Sequence, residues 1–332
     1  MAFRDRDPNK NNKQDEVPVA FNYVNYIWFY LMHNYGINTD QPWDFLGKDK
    51  DGQFYTFLTR PEFKETMTFI NKMYTEKLMN QDILNVSAES YLKLITENRV
   101  GVIFDGMSPN FLNKIKEANP DLDPKWTVML PPKGPRGDQG VRSYNSLDGE
   151  YFVSAKSKNI EAATRFIDYI FADPEGSKLI NWGVEDLTYA MDNGQMKTTD
   201  FVMKNPDGLS PNEVLASVGV RPTLPKIIDP EAHKAITEME FADNQWILEG
   251  INKYADAKVV GPPETRYRFT TEESGQIKDI HTQLDTYIDE SLAKMLVGNQ
   301  SMDQFDEFVK TLQDKGIDQL AEIYQRVDAR SK

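Results

Sequence analysis

The chain has 332 residues, enough for one large domain or two ordinary ones. Hydrophobic residues make up 39% of it and include 18 Phe, 15 Tyr and 5 Trp, enough apolar surface for a buried core, which argues against a disordered chain. With 52 acidic and 38 basic residues the net charge is −14, so the surface repels a phosphate backbone and we expect no nucleic-acid partner.

Cysteine is absent, which excludes disulfides, thiolate chemistry and Cys-ligated metal. No run of 18 apolar residues is present, so no membrane-spanning helix is predicted. The first ten residues, MAFRDRDPNK, lack the apolar segment of a secretion signal. Helical and strand patterns alternate along the chain, which predicts an α/β or α+β fold.

The first predicted element is a buried, aromatic helix over 24–36 that ends at Gly36. A turn at Asp51–Gly52 leads into a short strand within 50–57. An amphipathic helix follows over 59–79, with Thr59 as its cap.

The central part alternates strands and helices. Short apolar runs predict strands at 99–106, at the start of 126–140 and at 149–157. A helix, a break at Asp173–Pro174 and a second short helix come next. A polar, irregular segment over 192–230 follows, in which Ser210–Pro211 can start a helix.

The C-terminal third is predicted to be mainly helical. Its predicted elements are a helix over 230–254, a connector over 259–273, a long helix from Thr271 to near Gly298, and two shorter helices over 301–316 and 316–330.

Residues 7–16, DPNKNNKQDE, place acidic or amide side chains on alternate positions. A hard cation such as Ca²⁺ takes six to eight oxygen ligands, and a tight loop delivers them when alternate side chains point inward. The candidate metal ligands are Asp7, Asn9, Asn11, Lys13 through its backbone carbonyl, Asp15 and Glu16.

This loop departs from the EF-hand pattern at two positions. Asn12 replaces the usual turn glycine, although Asn tolerates positive φ, and Pro18 stands where the bidentate Glu belongs. A solvated turn held by Asx-type hydrogen bonds accounts for the same residues. The pattern alone leaves both interpretations open.

Catalytic motifs are scarce. His33, His233 and His281 are far apart, and no GxSxG, P-loop or dinucleotide fingerprint is present. The sequence leaves open a Ser–His–Asp triad or a glycosidase carboxylate pair, but nothing points to either one, because most of the many acidic residues are expected to be solvated.

Aromatic residues near loop-forming residues are more informative, since sugars stack on aromatic rings while polar side chains take their hydroxyls. The candidate ligand-binding residues are Trp182, Glu185, Tyr189, Asp105, Arg142 and Tyr144, with Trp43, Trp126 and Trp246 as further aromatic candidates. For any single Trp, core packing is the competing interpretation.

Five stretches, taken together and in order, resemble the extracellular solute-binding proteins of family 1, particularly the lipoprotein-type sugar- and oligosaccharide-binding components of bacterial ABC transporters. They are 3–19, 49–85, 99–106 (RVGVIFDG), 154–189 and 286–330. In that family a loop similar to DPNKNNKQDE binds calcium in some members, so the resemblance favours a structural calcium ion on the six ligands above.

The resemblance implies an α/β, periplasmic-binding-protein-like (type II) two-lobe fold, incomplete in the first lobe. Residues 1–141 and 260–332 would form lobe 2, residues 142–259 would form part of lobe 1, and the hinge segments would lie near 140–148 and 258–264. The resemblance also implies a monomer, and the partners it implies are an oligosaccharide in the inter-lobe cleft and the membrane permease.

Family members begin with a signal peptide and a lipidated cysteine, which place them outside the cytoplasm on the membrane. Neither is in this chain, so we expect it to be the C-terminal portion of such a protein. The implied function is binding without catalysis. A carbohydrate-active enzyme with paired carboxylates and a non-functional truncated fragment are the alternatives.

Overall fold

The fold is taken from a computed structural model. It describes residues 2–24, 26–104, 109–122, 125–141, 147–148, 151–192, 194–204, 209, 211–220, 226–227, 231, 234, 237–238, 241, 244–261 and 265–331. The chain forms two compact units, Met1–Ser143 with Tyr254–Lys332 (unit 1) and Tyr144–Lys253 (unit 2). The lobe and hinge boundaries expected from the sequence stay a prediction.

Helices and short strands alternate along the described residues. The strands are β1 Val17–Phe21, β2 Thr39–Gln41, β3 Leu46–Lys48, β4 Phe54–Thr56, β5 Val100–Phe104, β6 Leu147–Asp148, β7 Tyr189–Asp192, β8 Gln195–Thr198 and β9 Lys226–Ile227. The α-helices are α1 Ala2–Asp5, α2 Tyr26–Leu31, α3 Pro61–Thr75, α4 Ala88–Thr96, α5 Pro109–Ala118, α6 Ile160–Ala172, α7 Pro174–Asn181, α8 Asp200–Met203, α9 Pro211–Ser217, α10 Gln245–Ala257, α11 Thr271–Val297, α12 Phe305–Asp314 and α13 Ile317–Ser331.

Unit 1 contains a parallel strand pair and a small antiparallel sheet. Strands β1 and β5 run in parallel, with Val17 opposite Val100 and Phe21 opposite Phe104, so their carboxyl ends are level. Strands β2, β3 and β4 form the antiparallel sheet in that order. The pair β1–β5 therefore presents one carboxyl edge on which side chains from both strands can meet.

The core of unit 1 is built by α2, α3, α11, α12 and α13. Helix α3 buries Phe63, Met67 and Ile70, spaced by four and three residues, as the amphipathic pattern predicts. Each fully buried side chain of this size contributes about 1.5–3 kcal/mol. This core holds the parallel pair and the sheet in place.

Helix α11 has defined signals at both ends. Thr270 is its N-cap, and it forms a capping box with Glu273. The Arg330 guanidinium donates to both Glu273 carboxylate oxygens at 2.9 Å and, with the Thr270 backbone N–H, lowers the Glu273 pKa to about 2. Gly298 ends the helix in the left-handed conformation at φ 85°.

Unit 2 has short strand pairs and small buried clusters. Strands β7 and β8 form an antiparallel hairpin, and the two-residue strands β6 and β9 pair antiparallel. Asp173 caps α7 by accepting hydrogen bonds from the backbone N–H of Glu175 and Gly176, which explains the predicted break between α6 and α7.

Some predicted elements differ in the structure. The N-cap of α3 is Arg60, not Thr59, because Thr59 closes a 3₁₀ turn and its hydroxyl donates to the Thr56 carbonyl. Residues 126–130 and 151–154 pair with no strand among the described residues, so the two predicted strands there are wrong as far as the structure describes them. Of the predicted helix over 230–254, the described residues 231, 234, 237 and 238 are helical, and helix α10 covers Gln245–Ala257.

Among the helices that the structure describes, none combines the length and apolar character that crossing a membrane requires.

Candidate functional site

The loop over residues 7–16 is folded by its own side chains. The backbone N–H of Asn11 donates to the Asp7 carboxylate at 2.9 Å and to the side-chain amide oxygen of Asn9 at 3.0 Å. The backbone N–H of Asn12 donates to the second Asp7 oxygen at 2.8 Å, and that of Lys13 donates to the Asn11 side chain at 2.7 Å. The side chains of Asp7, Asn9 and Asn11 therefore fold back onto the loop backbone in Asx-type hydrogen bonds, and their role as metal ligands stays a prediction.

Two residues of the loop adopt positive φ. Asn12 lies at 61°, where the EF-hand pattern has glycine, so this replacement is compatible with the turn. Lys10 lies at 59°, and its backbone N–H donates to the Asp7 carbonyl. The loop thus has the backbone turns that wrapping around a ligand requires.

Arg99 ties the loop to the parallel strand pair. Its guanidinium donates to the Asp15 backbone carbonyl at 2.9 Å and lies 3.3 Å from the Asp15 carboxylate. Asn9 donates to the Asn98 carbonyl at 3.1 Å. Because β1 and β5 begin directly after Glu16 and Arg99, the geometry of the loop is coupled to the start of both strands.

Glu16 is the member of the predicted metal set that most needs a partner. The residue is 6% exposed, and neither carboxylate oxygen has a hydrogen-bond partner among the described residues. It lines a cavity of about 430 Å³ together with Asp15, Lys77 and Arg99. A buried, unpaired carboxylate is costly, so a cation at Glu16 would satisfy an unmet requirement of this site.

The acidic members of the set are not gathered around one point. Among the described residues no three His, Cys, Asp or Glu side chains form a metal-sized cluster. Asp7 uses its oxygens on the loop backbone, and Asp15 is shared between Arg99 and the Asn11 amide at 3.1 Å. The oxygen atoms of these residues are therefore ligands of the chemical type that a hard cation takes. Complete coordination requires these side chains to move closer to one point.

Three of the predicted ligand-binding residues lie together in unit 2. The Trp182 and Tyr189 rings meet edge to face at 6.1 Å, and the Tyr189 hydroxyl donates to Glu185 at 3.3 Å. Lys178 lies 3.9 Å from Glu185 and 5.1 Å from the centre of the Tyr189 ring. The chain thus brings these residues into one cluster.

The rings of this cluster are closed to solvent, with Trp182 at 5% exposure and Tyr189 at 3%. The Trp182 indole N–H is buried and has no hydrogen-bond partner among the described residues. The role of the cluster in ligand binding stays a prediction. The other three candidates, Asp105, Arg142 and Tyr144, lie outside the described residues.

Four aromatic side chains, Tyr23, Tyr26, Tyr30 and Trp43, form a surface that we call the aromatic patch. Tyr26 meets Tyr23 at 5.4 Å, Tyr30 at 6.1 Å and Trp43 at 6.1 Å between ring centres. Tyr23 is 58% exposed and Trp43 is 52% exposed. Exposed aromatic rings of this size are unusual for residues that serve only the core.

The aromatic patch lies by the carboxyl edge of the parallel pair. Tyr23 follows the end of β1 by two residues, and Tyr30 packs at 5.4 Å on Phe104, the last residue of β5. Sequence reasoning singled out only Trp43 here, because 24–36 reads as a buried helix. The signal was the spacing of Tyr26 and Tyr30 by four residues, which puts them on one face of α2, with Tyr23 three residues before Tyr26.

Several solved structures share the fold. The alginate-binding protein AlgQ2, in a structure without calcium ion, matches with a TM-score of 0.69 at 21% identity over 98% of this chain and 65% of that one. FusA of S. pneumoniae in complex with kestose matches at 0.68 with 22% identity over 99% and 66%. An EF-hand mutant of FusA in complex with fructo-nystose matches at 0.66 with 22% identity, over 99% and 66%. These likenesses confirm the α/β, type II periplasmic-binding-protein-like fold class.

Sequence relatives point the same way. The chain is 25% identical to the fructooligosaccharide ABC transporter substrate-binding protein FusA of Streptococcus pneumoniae, over 98% of this chain and 59% of FusA. It is also 25% identical to the polygalacturonan/rhamnogalacturonan-binding protein YtcQ of Bacillus subtilis, over 100% of this chain and 62% of YtcQ. The chain thus spans about three fifths of the length of these relatives.

The family model for bacterial extracellular solute-binding proteins matches residues 4–176, more than half of the 332 residues. That range contains the calcium-like loop, the aromatic patch and the parallel strand pair. The chain therefore belongs to the bacterial extracellular solute-binding protein family, in agreement with the resemblance seen in its sequence.

Proposed function

We propose that this chain acts as the substrate-binding component of a bacterial ABC importer and binds an oligosaccharide without chemical change. The observation that carries the proposal is the similarity of nearly the whole chain to two transporter-type or polysaccharide-binding proteins, FusA and YtcQ. The proposed partners are the sugar and the permease subunits, and the proposed location is outside the cytoplasm.

The aromatic patch supports a sugar as the ligand, because it offers exposed rings in unit 1. Trp182, Glu185 and Tyr189 in unit 2 remain proposed members, and their rings are buried in the structure. A sugar site has two requirements. It needs rings that stack on the apolar face of the sugar, and it needs polar groups that hydrogen-bond to the sugar hydroxyls. Asp105, Arg142 and Tyr144 remain proposed members.

We also assign a structural calcium ion to the loop over residues 7–16. The proposed ligands are Asp7, Asn9, Asn11, the Lys13 carbonyl, Asp15 and Glu16, and the buried unpaired carboxylate of Glu16 is the observation that favours them. When bound, the ion supplies positive charge and cross-links the loop. The chain's own part is to hold the oxygens, with Arg99 fixing the Asp15 backbone.

An enzymatic function has no comparable support. Where the acids of the candidate clusters have partners, these are cations or hydrogen-bond donors: Glu185 lies beside Lys178, and Asp15 lies beside Arg99. A glycosidase needs a carboxylate pair facing the substrate across a few ångströms. The relatives, moreover, are described as binding proteins.

The test is a thermal-shift and calorimetry screen of the chain against kestose, fructo-nystose and rhamnogalacturonan oligosaccharides, each with Ca²⁺ present. A ligand that binds only the folded state raises the melting temperature. At a ligand concentration one hundred times the Kd, the free energy of unfolding rises by about 2.7 kcal/mol. Intact sugar recovered after incubation is expected. If no sugar shifts the melting temperature, the proposed sugar binding is wrong. If cleaved sugar is recovered, the chain is an enzyme and not only a binding protein.

A further inference from the structure

The aromatic patch presents more than one ring to a ligand. Tyr23 and Trp43 are more than half exposed, and Tyr26 contacts both at 5.4 and 6.1 Å. Phe29, which is 7% exposed, packs behind Trp43 at 5.1 Å and fixes its ring. Trp43 is thus held by a buried neighbour and Tyr23 by the half-buried Tyr26, so stacking on the two rings costs little side-chain ordering.

The place of the patch in the fold points to a ligand. In open α/β sheets, ligands bind outside the carboxyl ends of the strands. Phe21 and Phe104 end β1 and β5 and stack on one another at 5.2 Å, with Tyr30 packed on Phe104. The patch therefore borders the edge at which a ligand is expected.

The charged residues that flank Trp43 in the chain, Asp40 and Asp44, are both acidic. Trp43 is followed by Asp44, which pairs with His281, and His281 in turn contacts Asp285. Asp40 accepts hydrogen bonds from Thr265 and Tyr267. The nearby Lys48 is paired with Asp328 at 3.0 Å. This group has four carboxylates against two cations, on a chain of net charge −14.

We infer that the aromatic patch is a stacking subsite for an uncharged oligosaccharide, with Tyr23 and Trp43 as its two platforms. A uronic-acid chain would meet the excess of carboxylates and be repelled, while a neutral sugar bears only hydroxyls and apolar ring faces. Two exposed rings favour an oligosaccharide over a single sugar. This inference rests on the proposed function and adds the place and the chemical class of the ligand.

The experiment measures Kd by calorimetry for kestose and cellotriose, as neutral probes, and for trigalacturonate, as the charged probe. Each is titrated into the wild-type chain and into Tyr23→Ala, Tyr23→Phe and Trp43→Ala. We expect both alanine variants to weaken the bound neutral sugar about tenfold or more, while Tyr23→Phe stays within about threefold because it keeps the ring. Trigalacturonate is expected to bind at least about tenfold more weakly than the neutral sugar.

Phe69→Ala is the matched control, since Phe69 is 41% exposed in the same unit but packs on Tyr35, outside the patch. Melting curves check that every variant folds, and Tyr23→Ala decides the result if Trp43→Ala does not fold. Equal affinities of the wild type and the alanine variants would overturn the subsite while leaving sugar binding intact. Preference for trigalacturonate would overturn the chemical class, and a wild type that binds no probe would overturn the proposed function itself.

Discussion

His281 is held between two carboxylates on the surface of the unit 1 core. Its Nε2 atom lies 2.7 Å from Asp44 and its Nδ1 atom lies 2.8 Å from Asp285, while the Tyr324 hydroxyl donates to the other Asp44 oxygen. A ring with a carboxylate at each nitrogen is stabilised as the imidazolium. The hydrogen bond to Asp44 is the main cause that raises the His281 pKa to about 9, against the opposing effect of burial. The interaction links α11 to the turn that carries Trp43.

The first prediction concerns the pH dependence of this link. Because the folded pKa is raised from 6.5 to about 9, the stabilisation is fully present below pH 6.5 and is lost as the pH rises through about 9. We expect His281→Gln to cost about 1–3 kcal/mol of unfolding free energy at pH 6 and less at pH 10. Urea unfolding at both pH values measures the two differences.

Gln283→Ala is the control for this experiment, since residue 283 lies exposed on the same helix. Its effect should be the same at both pH values. A His281→Gln cost that does not shrink between pH 6 and pH 10 would show that the imidazolium contributes nothing to stability.

The second prediction concerns Glu16. The substitution Glu16→Gln removes the charge of this side chain. We expect its effect on stability to differ between buffers with and without calcium. In EDTA the variant should be at least as stable as the wild type, because it no longer buries an unpaired carboxylate. In calcium the wild type should gain stability, and the variant should bind the ion at least about tenfold more weakly.

Calorimetric titration of Ca²⁺ and melting curves in EDTA and in Ca²⁺ provide the measurements. The double variant Asp7→Ala with Asp15→Ala should also lose the calcium heat, while Asp51→Ala, in an exposed turn, should keep it. Identical heats for the wild type and the double variant would remove the metal site.

At the scale of elements, the sequence predicted best where a local signal decides the structure. The long helix follows its capping box at Thr270 and its glycine stop at Gly298, and the break before α7 follows Asp173–Pro174. Strands were harder, since a strand needs a partner. Residues 151–154 alternate in burial like a strand, yet they pair with none among the described residues.

Strand β1 and the hairpin β7–β8 were missed for different reasons. Strand β1 is five residues long and follows a polar loop, and only its pairing with the distant β5 defines it. The hairpin β7–β8 had a local signal in the sequence, because the pair Asn-Gly at 193–194 favours a two-residue turn, and Gly194 has φ 82°. In the candidate site, the spacing of the loop residues and the grouping of Trp182, Glu185 and Tyr189 could be predicted from the sequence. The aromatic patch could not, because it depends on which helix face the core leaves exposed.

The third prediction belongs to α11. Thr270→Ala removes the side chain that accepts the Glu273 backbone N–H, so the free energy of unfolding should fall by about 1 kcal/mol. Urea unfolding followed by circular dichroism measures this loss. Thr270→Ser keeps the capping oxygen and should restore most of it, whereas Thr282→Ala, within the same helix, should cost less than Thr270→Ala.

At the scale of the whole molecule, the apolar burial of the described residues is divided unevenly between the two units. Unit 1 has one large core with fully buried Phe57, Phe63 and Phe308. Among its described residues, unit 2 has only small buried clusters, such as Val202 with Val214, Leu215 and Val220. Its helix α6 leaves Phe166 62% exposed, although that residue shares a helical face with the buried Ile170. Since burial of apolar surface dominates stability, unit 2 should be the less stable unit.

The last prediction is that unit 2 unfolds at a lower temperature than unit 1. Calorimetry should resolve two transitions, and hydrogen exchange at moderate temperature should reach amides of α6 and α9 before those of α11. Leu215→Ala, at a site 3% exposed in unit 2, should lower only the first transition. Leu292→Ala, at a site 1% exposed in unit 1, should lower only the second, and each should cost about 2–5 kcal/mol in its own unit. The difference between the two cores is the reason we expect unit 2 to unfold first. A single transition that both variants shift equally would show that the units fold as one cooperative structure.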